Sequence, residues 1–423
     1  MSKKTALGDS KWLKKVKISA DWKNHEGRWA APQHYTCSYM AMFPPQLPHY
    51  FISKFTEPGD IVLDPFSGRG TTAVQAMSQG RIGIGNDLNE LAYILTKGKL
   101  ANPALNEVID RLQDLEDGFD PADWKRAKGA PNKIRMIFHK KTLKQLLYLK
   151  RELKWEKDPI DSFITMVLMG AMHGSSPGFL SIPMPNTFSM GWNYVENYIE
   201  KHGLEKPDRD TFEVLRNRCK RFLKAGPMPG DGFAIHGNVR ELSTNDDIVD
   251  GSVKLIFSSP PYLKVIKYGL YNWIRLWWLV GGHEAVDRDL DDGHSLGPYL
   301  KFMKRSMEQM IPLLNPKNGL LCWVIGDVEN LNLAEEVAKC ALDVAGIDCN
   351  KNANRFRVLG IFEDRIADNK KVTKLWNADE DKSGKATKID RILVMCLESA
   401  DHMGMKINHN FAWEPFLPIK SPK

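Results

Sequence analysis

The strongest constraint on this chain is a change of texture that repeats between residues 61 and 87. "IVLDPF" is a short apolar run suited to a buried parallel strand. "SGRGTTAVQAMSQG" is a tight turn opening a helix that ends at Gly80, and "RIGIGND" is a second apolar run stopping in a polar turn. An amphipathic stretch, "YFISKFTEPGD", precedes them, so residues 51–100 read helix, strand, glycine loop, helix, strand, helix. Parallel strands need a crossover connection, so this pattern predicts a βαβ unit of a parallel sheet. With 423 residues, 43% of them hydrophobic and 10% aromatic, the chain can bury a sizeable core in one large or two ordinary domains.

The alternation pauses and then resumes. Residues 101–229 carry two basic amphipathic helix patterns, "KKTLKQLLYLKRELKW" and "DRDTFEVLRNRCKRFLKAG". Between them, "HGSSPGFLSIPMPNTFSMGWNYVENYI" is rich in Gly, Ser, Pro and Asn and reads as a surface segment. From residue 230 onward, "FAIHGN", "VKLIFSSPPY" and "LLCWVIGD" read as strands. "YGLYNWIRLWWLVGG", a stretch ending at Gly319 and one around 332–346 read as helices, and "FRVLGIFEDRI" with "DRILVMCLES" as a closing pair of strands. The prolines of "FPPQLPHY" punctuate the chain at 43–50. The expected organisation is an arm over 1–35, a discontinuous α/β domain over 36–100 and 230–400, a helical insertion over 101–229, and a tail over 401–423.

Composition narrows the classes. A net charge of +7 permits a polyanionic partner without requiring one. None of the six cysteines forms a CxxC pair and no histidine cluster has zinc spacing, so no metal site is expected. The N-terminal "MSKKTALGDSKWLKKVK" lacks an apolar core of a secretory signal, and no run approaches 18 apolar residues. These readings predict a soluble protein of a reducing compartment, with no membrane partner.

The glycine loop points to a ligand. Gly68 and Gly70 follow a strand and open a helix, which lets backbone amides approach a bound group. No Lys follows the glycines at Walker A spacing, which disfavours an NTPase. Asp87 lies 17 residues beyond Gly70, at the end of the next strand. In doubly wound folds an acidic residue there accepts hydrogen bonds from ribose hydroxyls. A lone GxG is also an ordinary turn, and Asp87 alone also fits a helix N-cap. Together, at this spacing, they favour a nucleoside. Asp64, at the strand end beside the loop, would repel a pyrophosphate but hold an ammonium. Ribose, adenine and an amino group together fit S-adenosylmethionine.

These residues carry a family resemblance. "VLDPFSGRGTT" resembles motif I of the amino-methylating DNA methyltransferases, which modify cytosine N4 or adenine N6. "SSPPY" resembles their catalytic (D/N/S)PP(Y/F/W) motif, "FPPQL" the motif ahead of motif I, and "IHGNVREL" the adenine-contacting segment. The resemblance covers roughly residues 33–100 and 231–398. It implies a Rossmann-like class I S-adenosylmethionine-dependent methyltransferase sheet with a largely helical insertion. It further implies that Asp64, Gly68 and Gly70 hold the methionine part of the cofactor, Asp87 the ribose, and Asn238 the adenine. Phe43, Pro65, Phe66, Ser67, Thr71, Thr72, Leu88 and Val239 complete that implied site. Family members often have Asp where Asn238 stands. Ser259, where adenine enzymes more often carry Asp or Asn, leans toward cytosine N4.

The implied catalyst is the loop Ser259, Pro260, Pro261 and Tyr262. An exocyclic amine is a poor nucleophile because its lone pair is delocalised into the ring. Acceptors aimed at its protons correct this, and Ser259 Oγ and the Pro260 carbonyl are the candidates. Two prolines stiffen the loop, Tyr262 would stack on the extruded base, and Ser258 would support the strand end. Duplex DNA is the implied substrate, with S-adenosylhomocysteine as product and a cognate restriction endonuclease as an implied partner. A bacterial or phage cytoplasmic location follows from the same resemblance. Asn186, Ser189 and Trp192 are candidates for base contact, and the loop over 364–390 for phosphate contact. An adenine-N6 enzyme, an RNA base-amine methyltransferase and a catalytically dead DNA-binding relative are the rival readings. The sequence leaves the recognition sequence and oligomeric state open.

Overall fold

The computed structural model describes residues 15–17, 30–40, 43–122, 129–174, 178–184, 189–261, 263, 268–289, 295–326, 331–365, 375–377, 382–384 and 389–400. In chain order the strands are β1 (Lys15–Lys17), β2 (Ile61–Asp64), β3 (Ile82–Asp87), β4 (Asp231–His236), β5 (Val253–Ser258) and β6 (Leu320–Gly326). They continue as β7 (Ala345–Ile347), β8 (Ala353–Arg365), β9 (Leu375–Asn377), β10 (Lys382–Gly384) and β11 (Ile389–Leu397). The main sheet runs β1-β8-β11-β6-β5-β2-β3-β4, with β7 on β8. From β6 to β4 all neighbours are parallel, while β11 runs antiparallel to both β6 and β8. This is the Rossmann-like methyltransferase sheet implied by the resemblance.

The order of the strands locates the crevice. From β2 the chain builds outward through β3 to β4, then returns to β5 on the other side of β2 and continues to β6. The strand order therefore reverses between β2 and β5, and ligands of open α/β sheets bind at such a switch point, beyond the carboxyl ends of the strands. Asp64 ends β2 and Ser258 ends β5.

Apolar residues on both faces of the central strands explain their near-continuous hydrophobic runs. Ile84, Ile256 and Trp323 pack with the helices Leu296–Leu313 and Leu333–Leu342. Val62, Leu255 and Phe257 pack on the opposite face with the helix Gln46–Phe55. A third cluster joins the helix Glu90–Leu100 to the helices between residues 105 and 223 and to the helix Trp273–Val280. Among the described residues no helix is long and apolar enough to cross a membrane.

Three sequence expectations need correction. The helix expected to end at Gly319 ends at Leu313. Asn315 precedes Pro316, which disfavours helical backbone there, and its side chain accepts from the amides of Lys317 and Asn318 to make a turn. The proline-rich 43–50 stretch starts a helix rather than merely punctuating the chain, because Pro45 and Pro48 occupy the cap and first turn, where amides need no partner. The segment read as surface is interior in its described part: Leu180, Ser181, Ile182, Met184, Ser189 and Met190 are all at most 2% exposed.

Candidate functional site

Four strand ends converge on one edge, bringing Asp64, Asp87, the Gly237–Asn238 turn and the Ser258–Ser259 pair to the same side of the sheet. Asp64 is 1% exposed. Its Oδ1 accepts from the Phe66 amide at 3.2 Å and from the Ser258 hydroxyl at 2.5 Å. Burial pushes its carboxyl up to about 7, against the opposing effect of the Ser258, Thr72 and Phe66 donors. Ser258 thus supports the strand end by a bond to the cofactor loop's own acid.

The loop after Asp64 is held from several sides. Gly68 (φ 51°) and Gly70 (φ 79°) are left-handed, which only glycine adopts without strain. A Cβ on Gly70 would lie 2.8 Å from Thr96 Oγ1. The Ser67 amide donates to the Asn86 carbonyl at 2.8 Å, and Asn86 Nδ2 donates to the Pro65 carbonyl at 3.1 Å. Behind the loop, on one face of the helix Glu90–Leu100, Thr96 Oγ1 donates to the Gly68 carbonyl and Lys99 Nζ to the Arg69 carbonyl at 2.5 Å. Lys99 is 1% exposed, and burial lowers its pKa well below the ordinary lysine value.

Asp87 accepts from the Gly68 amide at 2.8 Å through Oδ2 and from the Asn89 amide at 2.9 Å through Oδ1. Burial raises its carboxyl to about 6. The helix N-cap is Asn89, whose side chain accepts from Leu91 N, so Asp87 is not the cap. Leu88 offers its carbonyl to His236 Nε2 at 3.0 Å, and the His236 ring stacks on Tyr93. Phe43 lies edge-on to Phe257 in β5. Phe66 turns its ring to Phe302 and Trp323, and Thr71 and Thr72 are buried in the first helical turn. Val239 is buried at the start of a 3-10 turn.

Asn238 caps that turn. Its Oδ1 accepts from the Arg240 amide at 3.0 Å and from Arg240 Nε at 3.1 Å. The adenine acceptor implied by the resemblance is therefore fully engaged by Arg240, since a carbonyl oxygen has two lone pairs. Ser259 Oγ is buried with no hydrogen-bond partner among the described residues, and Pro260 is buried beside half-buried Pro261. Tyr262 lies outside the described residues, as do Asn186 and most of the 364–390 loop. Ser189 is 0% exposed and Trp192 packs edge-on to Trp273, which removes Ser189 from base contact in this conformation.

Sequence reading missed Tyr39, Asn86, Thr96 and Lys99. Tyr39 stacks on Tyr268 at 5.8 Å, and its hydroxyl accepts from Asn89 Nδ2 at 3.2 Å, over the Gly68 turn. Thr96 and Lys99 looked like ordinary helix residues. Asn86 did carry a signal, a polar residue at an interior strand position.

The fit to S-adenosylmethionine rests on this chemistry: two glycines at positive φ, an acid at each of two strand ends, and an orphaned hydroxyl at a third. Comparisons with known proteins place the chain as follows. Residues 2–97 match the model of the N6/N4 methyltransferase family, described as DNA methylase. A type II methyltransferase of Methanocaldococcus jannaschii, M.MjaII, is 31% identical over 109 residues, which is 25% of this chain and 21% of that protein. A type II methyltransferase of Bacillus subtilis, M.BglI, is 41% identical over 81 residues, 19% of this chain and 23% of its own. The chain spans less than a third of the length of the curated relatives it matches. Among solved structures, the rRNA methyltransferase aviRa of Streptomyces viridochromogenes aligns over 90% of this chain and 93% of its own at 8% identity, with a TM-score of 0.32.

Proposed function

We propose that this chain, whose residues 2–97 match the DNA methylase family, transfers a methyl group from S-adenosylmethionine to the exocyclic amine of a base in duplex DNA. The observation that carries the reading is Ser259: an unpartnered, buried hydroxyl one residue beyond the bond that ties β5 to the glycine loop. Among the two possible bases, the serine at this position favours cytosine N4 over adenine N6.

When bound, S-adenosylmethionine would supply an electrophilic methyl on a sulfonium; its departure would leave the neutral thioether of S-adenosylhomocysteine, and the proton lost by the methylated amine would pass to water. Asp64, ionised, would hold the cofactor's ammonium, and Asp87 would accept from its ribose hydroxyls. Thr96 and Lys99 draw the loop carbonyls backward, which supports a fixed glycine cradle. Ser259 Oγ and the Pro260 carbonyl accept the amine protons, pulling the nitrogen lone pair out of conjugation. The two prolines limit the loop's freedom, so acceptor positions are set before the base arrives. Tyr262 stacks on the base, which must leave the duplex to be reached. The helical insertion over residues 101–229 is the region proposed for target recognition.

The test is transfer of tritiated methyl from S-adenosylmethionine to duplex DNA, with structured RNA in parallel. DNA labelling supports the proposal. Labelling of RNA alone would favour the RNA base-amine reading, and labelling of neither would refute the activity.

A further inference from the structure

We infer that Asn86, rather than Asn238, supplies the side-chain acceptor for the 6-amino group of the cofactor's adenine. The inference rests on the cofactor reading above and adds a specificity-determining residue to it.

Two observations carry it. Asn86 is 1% exposed, and its Oδ1 is buried with no hydrogen-bond partner among the described residues. Its amide orientation is fixed, because Nδ2 donates to the Pro65 carbonyl, which can only accept. A buried carbonyl left without a donor is costly, so such an atom calls for an explanation. By contrast, both lone pairs of Asn238 Oδ1 are taken by Arg240.

The second observation is Gly237. It is not among the glycines with positive φ, so backbone conformation does not demand glycine there. What it provides is space: a Cβ at Gly237 would stand 3.1 Å from Asn86 Oδ1 and 3.4 Å from Ile235 Cγ2. The bare α-carbon therefore leaves no side chain at position 237 over the Asn86 oxygen. In β3, Ile82, Ile84 and Asn86 share one face by strand alternation, and Ile84 packs in the same cluster as Val239. Asn86 Oδ1 thus lies beside Gly237, in the segment that the resemblance links to adenine, while Asn86 Nδ2 and the Asp87 carboxylate both hold the glycine loop.

The experiment compares binding of S-adenosylhomocysteine with S-inosylhomocysteine, in which a 6-oxo group replaces the 6-amino donor, by calorimetry. The wild type should prefer the adenosyl compound by about tenfold or more, the scale of one buried hydrogen bond. Asn86→Leu should erase that preference. Asn86→Asp keeps an acceptor but loses the donor to Pro65, and should retain the preference. Asn238→Ala should retain it as well. Gly237→Ala should weaken the adenosyl compound selectively, which serves as the test should Asn86→Leu fail to fold. Retention of the preference in Asn86→Leu, its loss in Asn238→Ala, or equal loss of both ligands in both Asn86 variants would overturn the inference. If the wild type binds neither compound, the cofactor reading itself falls.

Discussion

The Ser258 hydroxyl donates to the Asp64 carboxylate at 2.5 Å across 194 residues of sequence. This bond joins the end of β5 to the end of β2 at the switch point of the sheet. It couples the proposed catalytic loop to the proposed cofactor loop, and it separates two adjacent serines by role. Ser258 faces the acid, whereas Ser259 Oγ has no partner.

That separation predicts different kinetics for the two serines. Ser259→Ala should lower kcat by on the order of 100-fold, the scale of losing one group that acts only in the transition state, with cofactor affinity nearly unchanged. Ser258→Ala should raise KM for the cofactor by about tenfold and change kcat by less than about threefold. Steady-state kinetics and cofactor titration check both. Collapse of cofactor binding in Ser259→Ala would remove its catalytic assignment.

Asp64 makes a pH prediction. Its native carboxyl titrates at about 7, above the usual aspartate value because of burial. The native state therefore holds a proton that the unfolded state has released, so Asp64 makes stability fall as pH rises from roughly 4 to 7 and no further above. At ~1.4 kcal/mol per tenfold change in proton affinity, the upper bound is ~4 kcal/mol. Asp64→Asn should remove this slope: the cofactor-free variant melts higher than wild type at pH 8 and at the same temperature at pH 4. Asp87, at about 6, leaves a smaller residual slope of the same sign. Thermal melts across pH 4–8 measure this, and identical slopes would contradict it.

Gly70→Ala combines a left-handed backbone with a Cβ placed 2.8 Å from Thr96 Oγ1 and 3.2 Å from Thr96 Cα. It should cost about 1–3 kcal/mol in urea denaturation and abolish cofactor binding. A variant of wild-type stability that still binds cofactor would show that the loop does not need this turn.

Much of this was legible in the sequence, and the reason is local. The apolar runs of β2, β3 and β5 each stop at residues that cannot continue a strand, so the loops announced themselves. The bonds that make a site of them were not legible. Ser258 meets Asp64, and Tyr39 meets Asn89, across separations that no local pattern encodes. The 178–190 segment misled because Gly, Ser and Pro resemble surface. In its described part Leu180 and Ser181 instead donate to the carbonyls of Ala171 and Met172 in the interior.

The helix Trp273–Val280 carries another testable contact. Arg275, 1% exposed, donates to the carbonyls of Met169 and His173 and to Asn272 Oδ1. Arg275→Met would strand these acceptors in the core and should destabilise the protein by about 3 kcal/mol or more. Equilibrium denaturation reads this directly, and a loss within ~0.5 kcal/mol would mean that the acceptors find other donors.

The most direct measurement is nucleoside mass spectrometry of duplex DNA after incubation with labelled S-adenosylmethionine and either wild type or Ser259→Ala. The account predicts a labelled exocyclic amine in the wild-type digest, N4-methylcytosine by the serine argument, and none with the variant. Label on a ring carbon, or equal labelling by both proteins, would contradict it.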